Sequence, residues 1–137
     1  MAYWLFKSEP NVFSWDDLVA RGQQGEEWDG VRNYQARNFM RQMAVGDQGL
    51  FYHSNIGKEA VGIVEIIAPA HPDSTAADPK WECVDIRAVK PLARAVSLDD
   101  CKAEPRLSKM VLVNNSRLSV QPVTGDEWAT ILEMAGM

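Results

Sequence analysis

Cysteine and histidine are scarce, two of each in 137 residues, and neither kind is clustered. Cys83 and Cys101 form no Cys-x-x-Cys or Cys-His group, and no His-Glu-x-x-His or Asp-x-Asp-x-Asp run occurs. The linear pattern offers no ligand set for a structural or catalytic metal, so none is expected. Two isolated cysteines read as free thiols in a reducing cytosol. No apolar stretch reaches the roughly 18 residues that cross a bilayer, and the N-terminus lacks a basic segment leading into an apolar one. The expectation is a cytoplasmic protein, neither secreted nor membrane-spanning. A Gly-x-Ser-x-Gly elbow, a phosphate-binding Gly-rich loop and a dinucleotide fingerprint are also missing. Those absences remove the common signatures of hydrolases and nucleotide-dependent enzymes.

Basic residues are few as well, 14 against 19 acidic, for a net charge of −5. That argues against a protein that grips a long tract of phosphates by counterion release. The distribution is uneven. Residues 1–30 carry two basic and six acidic groups, whereas 31–63 carry four basic (Arg32, Arg37, Arg41, Lys58) and two acidic. Arg106 to Arg117 holds three basic residues and no acid. If these segments converge, they make a local positive rim on an acidic body, enough for a few phosphates.

What is present is a hydrophobic content of 46%, spread along the whole chain, which is enough for one core and suggests a single domain over 1–137. Tyr3 to Phe6 reads as a buried strand stopped near Pro10. Ser14 followed by Trp-Asp-Asp has the form of a helix N-cap, with Gly22 as the stop. Residues 22–30 read as a loop, and 33–43 as a helix with Arg37 and Arg41 one turn apart. Leu50 to Ser54 and Ala60 to Ala68 form a predicted β-hairpin. Pro69 to Pro79 reads as a loop, and Trp81 to Val89 alternates as a strand with Cys83 and Asp85 on one face. A short capped helix at Ser97, a short strand at Leu118 to Val123 and a capping box at Thr124 to Glu127 complete the chain. The predicted fold is α/β of the α+β kind: a small, mostly antiparallel sheet curled into a barrel, with helices packed outside.

Five tryptophans are sorted by context. Trp4 and Trp128 lie in apolar runs and belong to the core, and Trp15 staples a helix start. Trp28 and Trp81 sit among charged residues at element boundaries, where they suit the walls of a pocket. A nucleobase presents a flat π face and a polar edge, so its site needs aromatic walls with amide or hydroxyl groups beside them. The polar candidates are Ser8, Asn33, Tyr52, His53, Ser54, Asn55, Ser119 and Gln121, all at strand ends or in loops. Each has a structural alternative, since Ser and Asn at such places cap turns and a histidine between Tyr and Ser is commonly a structural one. Lys7, Ser8 and Glu9, or His53 with Ser54, would be an enzyme's residues, but neighbours on a strand point to opposite faces. Binding without catalysis is the favoured reading.

Seven segments carry a family resemblance: Tyr3 to Pro10, Trp28 to Asn38, Gly46-Asp47, Phe51 to Ser54, Gly62 to Glu65, Asp78 to Trp81 and Arg117 to Val123. In order and spacing they closely resemble the EVE domain, over essentially the whole chain. The resemblance implies a PUA-like pseudo-barrel related to PUA, ASCH and YTH domains. It also implies binding of modified bases in DNA or RNA, of the 5-methylcytosine type, with no cofactor. Lys7, Ser8, Trp28, Asn33 and Trp81 look like the YTH positions that contact or cage N6-methyladenine. The combined expectation is a base held between Trp28 and Trp81, its edge met by Asn33, Ser8 or groups near Ser119 to Gln121. Arg32, Arg37, Lys58 and Arg117 would meet phosphates, and the protein is taken as a monomer. The alternatives are a small hydrolase of modified nucleosides using Lys7 and Glu9, and an interaction module that puts a small ligand or a protein side chain in the same pocket.

Overall fold

The computed structural model describes residues 1–115 and 117–137. Strand β1 (Tyr3–Ser8) leads to helix α1 (Trp15–Ala20), a 3-10 turn and a two-residue strand β2 (Glu26–Glu27). Helix α2 (Tyr34–Gln42) precedes the long strands β3 (Gln48–His53), β4 (Glu59–Pro72) and β5 (Glu82–Ser97). Helix α3 (Leu98–Ala103), a second 3-10 turn, α4 (Val111–Asn114), strand β6 (Val120–Val123) and helix α5 (Gly125–Met134) follow. The strands make one curled, unclosed sheet in the order β2-β5-β4-β3-β1-β6. All neighbours are antiparallel except β1 and β3. That parallel pair requires a crossover, which α1 and α2 supply.

Period-two alternation builds a core on each side of the sheet. Trp4, Phe6 and Phe51 face one side, where Leu18 of α1 and Ala36 and Met40 of α2 join them. Leu5, Leu50 and Tyr52 face the other, against Trp128 and Ile131 of α5. The capping boxes at Ser14 and Thr124 form as the sequence suggests, each satisfying two helix-start amides. Asp47 anchors the start of β3 by accepting the Trp4 indole N–H at 3.1 Å and the Ala44 amide at 3.0 Å.

Two strands outrun the sequence reading. β4 continues through Pro69 to Pro72, and β5 through Pro91 to Ser97. Proline stops a regular ladder because it lacks a donor, but the β4–β5 register slips between Ala68 and His71 and again between Ala60 and Gly62, which faces Pro91. The prolines thus sit at irregularities where a donor is not needed. Gly62 has a second reason to be glycine, because the Trp15 indole lies directly over its Cα. Gly62→Ala is expected to cost about 1–3 kcal/mol by overpacking, read as a lowered denaturation midpoint at unchanged m-value. No helix among the described residues is long and apolar enough to cross a membrane.

Candidate nucleic-acid interface

The C-terminal end of β1 and the segment from β2 to α2 enclose a cleft of about 520 Å³. That volume lies within the range of small-ligand sites, roughly 300–1,000 Å³. Lys7, Ser8, Glu9 and Phe13 form one wall, Glu26 to Arg32 the other, and Ser119 closes the end. Main-chain bonds fix the first wall. Ser119 accepts the Lys7 amide at 2.9 Å, Ser8 accepts the Ser54 amide at 2.9 Å, and the Ser8 hydroxyl donates to the Phe13 carbonyl at 2.6 Å.

Trp28 is the floor. Its amide donates to Val84 at 2.8 Å, which pins it to β5, and its indole meets Phe6, Phe13 and Phe51 edge-on at 5.4, 6.3 and 5.7 Å. Only 8% of the residue remains exposed. This corrects the picture of a loop wall: although Glu27 and Asp29 flank it, the Trp28 ring packs inward on three phenylalanines, so acidic neighbours coexist with a buried ring.

The second wall depends on Asp73, which the sequence reading did not single out. Its side chain is fully buried, and it accepts the Gly30 amide at 2.9 Å, Arg32 Nη1 at 3.0 Å, and the Thr75 amide and hydroxyl at 2.7 and 2.6 Å. Burial alone would raise this carboxyl, but those donors outweigh it and hold the pKa at about 2. Gly30 takes φ +79°, which lets its N–H turn toward the carboxylate. Asp29 responds oppositely. Desolvation, then Asp73, Glu26 and Glu27, raise its carboxyl, with Arg32 offsetting in part. Burial lowers the Lys7 ammonium.

Trp81 does not line this cleft. It lies against Tyr34 at 4.9 Å, with Arg32 over its ring at 5.8 Å and Lys80 at 5.4 Å. Arg37 covers Tyr34 at 4.9 Å and donates to the Lys80 carbonyl at 3.0 Å. The result is a patch of two aromatics and three cations joined to the cleft through Arg32. Tyr34 and Lys80 were not among the sequence candidates.

The remaining candidates fall elsewhere. Asn33 caps α2, accepting the Ala36 amide at 2.9 Å. Tyr52 is 3% exposed in the second core, and burial pushes its phenol up to about 12. His53 Nε2 accepts the Trp15 amide at 3.1 Å, so it serves the start of α1, and burial lowers its pKa. Ser54 meets the cleft wall through its amide, which donates to the Ser8 carbonyl. Gln121 is fully buried and donates to the Leu118 carbonyl at 2.7 Å. Lys58 occupies the hairpin tip with φ +50°, and Arg117 lies in an exposed turn, so the structure brings neither to the cleft.

The EVE domain profile matches residues 2–134. The chain belongs to the EVE domain family. Among solved structures, protein Atu2648 from Agrobacterium tumefaciens is 59% identical and superposes with a TM-score of 0.99, over 100% of this chain and 94% of that one. Human THYN1, solved in complex with DNA containing 5-methylcytosine, is 36% identical with a TM-score of 0.91, over 100% of this chain and 99% of that one. Mouse thymocyte nuclear protein 1 is 38% identical over 96% of this chain and 73% of its own length. The YTH domain of Zygosaccharomyces rouxii MRB1, solved with N6-methyladenosine RNA, shares the fold at a TM-score of 0.59 and 16% identity, over 98% of this chain and 86% of that one. This chain thus has the curled α/β sheet with helices expected from the sequence, in a fold shared with the YTH domain, but the expected barrel is left unclosed between β2 and β6.

Proposed function

We propose that this protein is a non-catalytic reader that takes one modified base of a nucleic acid, of the 5-methylcytosine type, into the Trp28 cleft. The carrying observation is the cleft itself, floored by an indole, edged by Ser8, Asp29 and Ser119, and opening beside the Trp81–Tyr34 patch. The human relative solved with 5-methylcytosine DNA supports the same reading. The base enters flipped from its strand, and Trp28 offers apolar surface to its face. The flanking sugar and base lie along Arg32, Trp81 and Tyr34, while Arg37 and Lys80 face the phosphates. An acidic body with one such patch suits a few backbone contacts better than a tracked duplex. The protein acts as a cytoplasmic monomer.

Binding of oligonucleotides with cytosine or 5-methylcytosine at one position, read by fluorescence anisotropy at low salt, tests this directly. Tighter binding of the methylated strand is expected. Trp81→Ala should weaken it about 10- to 100-fold, the worth of one stacked base, with little change in stability because Trp81 is only half-buried. Equal binding of the two strands, or an undiminished Trp81→Ala, overturns the reading. Lys7 and Glu9 do line one cleft, which is the observation behind a hydrolase. Glu9, however, is held by the Asn55 amide at 2.5 Å. Turnover of modified nucleosides, followed by chromatography, would establish the hydrolase in place of the reader.

A further inference from the structure

Beyond the base cleft, three neighbouring strands gather four side chains that sequence spacing kept apart. His71 on β4 is the register partner of Cys83 on β5, and Glu27 on β2 is the partner of Asp85 on β5. Residues 83 and 85 project from the same face of β5, so the two cross-strand pairs lie side by side. The ligating atoms of Glu27, His71 and Cys83 all lie within 4.8 Å of one another. Cys83 Sγ donates to Glu27 Oε1 at 3.4 Å, and His71 Nε2 is 2.7 Å from Asp85 Oδ1. His71 Nδ1 faces the Pro72 carbonyl at 3.0 Å, the contact that fixes ring orientation in metal-binding histidines.

The geometry points to a zinc site made by Cys83, His71 and Glu27, with Asp85 as the fourth ligand. One sulfur, one imidazole nitrogen and two carboxylate oxygens form a mixed donor set that zinc takes and that magnesium or calcium, which prefer oxygen throughout, do not. Zinc bonds of roughly 2.0–2.3 Å place tetrahedral ligands about 3.5 Å apart, so Glu27, His71 and Cys83, now within 4.8 Å of one another, close by a movement of about 1 Å, and Asp85, which meets the trio at His71 Nε2, swings in to complete the shell. The imidazole and the Asp85 carboxylate are about one-third exposed (35% and 32%), which leaves the ion a way in, while Cys83 forms the buried base. On binding, two protons leave to solvent, the thiol proton and the Nε2 proton that now meets Asp85; a zinc–sulfur bond replaces the S–H bond, Nε2 presents the lone pair so freed, and Nδ1 keeps its proton on the Pro72 carbonyl. Glu27 also accepts from the Ser74 amide and hydroxyl at 2.6 and 2.9 Å and lines the cleft, so the ion would clamp the end of β4 to the cleft wall.

Cobalt is the spectroscopic probe. The metal-free protein titrated with Co²⁺ should develop a thiolate-to-cobalt charge-transfer band in the near ultraviolet, complete at about one equivalent and erased by Zn²⁺. Zn²⁺ in excess should raise Tm by about 5 °C, and Mg²⁺ should not. Cys83→Ser should abolish the band. His71→Asn, at a partly exposed position that leaves the interior intact, should weaken cobalt binding at least tenfold. Absence of the band from the folded parent, its persistence in both variants, or equal stabilisation by Mg²⁺ overturns the site. None of these readouts involves nucleic acid, so the zinc site and the reader stand or fall separately.

Discussion

Trp28→Ala should lose both the fold's margin and the function, and Trp28→Phe should separate the two. The indole is 8% exposed and touches Phe6, Phe13 and Phe51, so truncation leaves a cavity beneath the cleft. Removing a buried aromatic costs about 3–5 kcal/mol, against total stabilities of about 5–15 kcal/mol. Denaturant titration should therefore show a large drop in midpoint for the alanine variant, and lost binding there would say little about recognition. Phenylalanine keeps an apolar ring against the same three partners and should cost only about 1–2 kcal/mol. Its smaller face should nevertheless weaken binding of a 5-methylcytosine strand by roughly tenfold. If Trp28→Phe binds as tightly as the parent while folded, the indole is core alone and the base is held elsewhere.

That experiment turns on the feature the sequence conveyed least well. Helix starts were legible because a cap is a local device: Ser14, Ser97 and Thr124 each accept the amide three residues ahead. The β3–β4 hairpin and β6 were legible for the same reason, as short apolar runs between turn residues. Trp28 was legible as a candidate but not as the floor of the cleft, because flanking Glu, Asp and Gly made a two-residue strand look like loop. The parallel pairing of β1 with β3 was invisible, since nothing local distinguishes a strand with one neighbour orientation from another.

Side chains that act across strands were the hardest to see. Asp73, His71 and Glu27 are ordinary polar residues in the sequence, and only the β2–β5–β4 registers bring them to the cleft wall and its flank. Trp81 and Arg37 were singled out individually, yet their association with Tyr34 and Lys80 depends on where the loop before β5 meets the first turn of α2. Ser, Asn and His candidates at element ends largely proved to be caps and backbone anchors, as local hydrogen-bonding chemistry favours.

Asp73→Asn is expected to be the most destabilising single-atom-scale change in the site, and its pH dependence identifies the cause. The native carboxylate accepts from Gly30, Arg32 and Thr75, and an amide must turn an NH₂ toward one of those donors. Leaving a buried ion pair and its bonds half-made costs about 3 kcal/mol. The folded pKa of about 2 is depressed below the ordinary 3.8, so the carboxylate's contribution is complete above that ordinary value and is lost as pH falls through about 2. Stability of the parent should therefore fall more steeply than that of Asp73→Asn between pH 4 and about 2, and the gap between them should narrow there. Denaturant midpoints taken from neutral pH down to that range provide the check, and a gap that stays constant would locate the effect in packing. Because this carboxylate holds both the Gly30 amide and the Arg32 guanidinium to the segment after β4, the same variant should bind base-modified strands more weakly even where it remains folded.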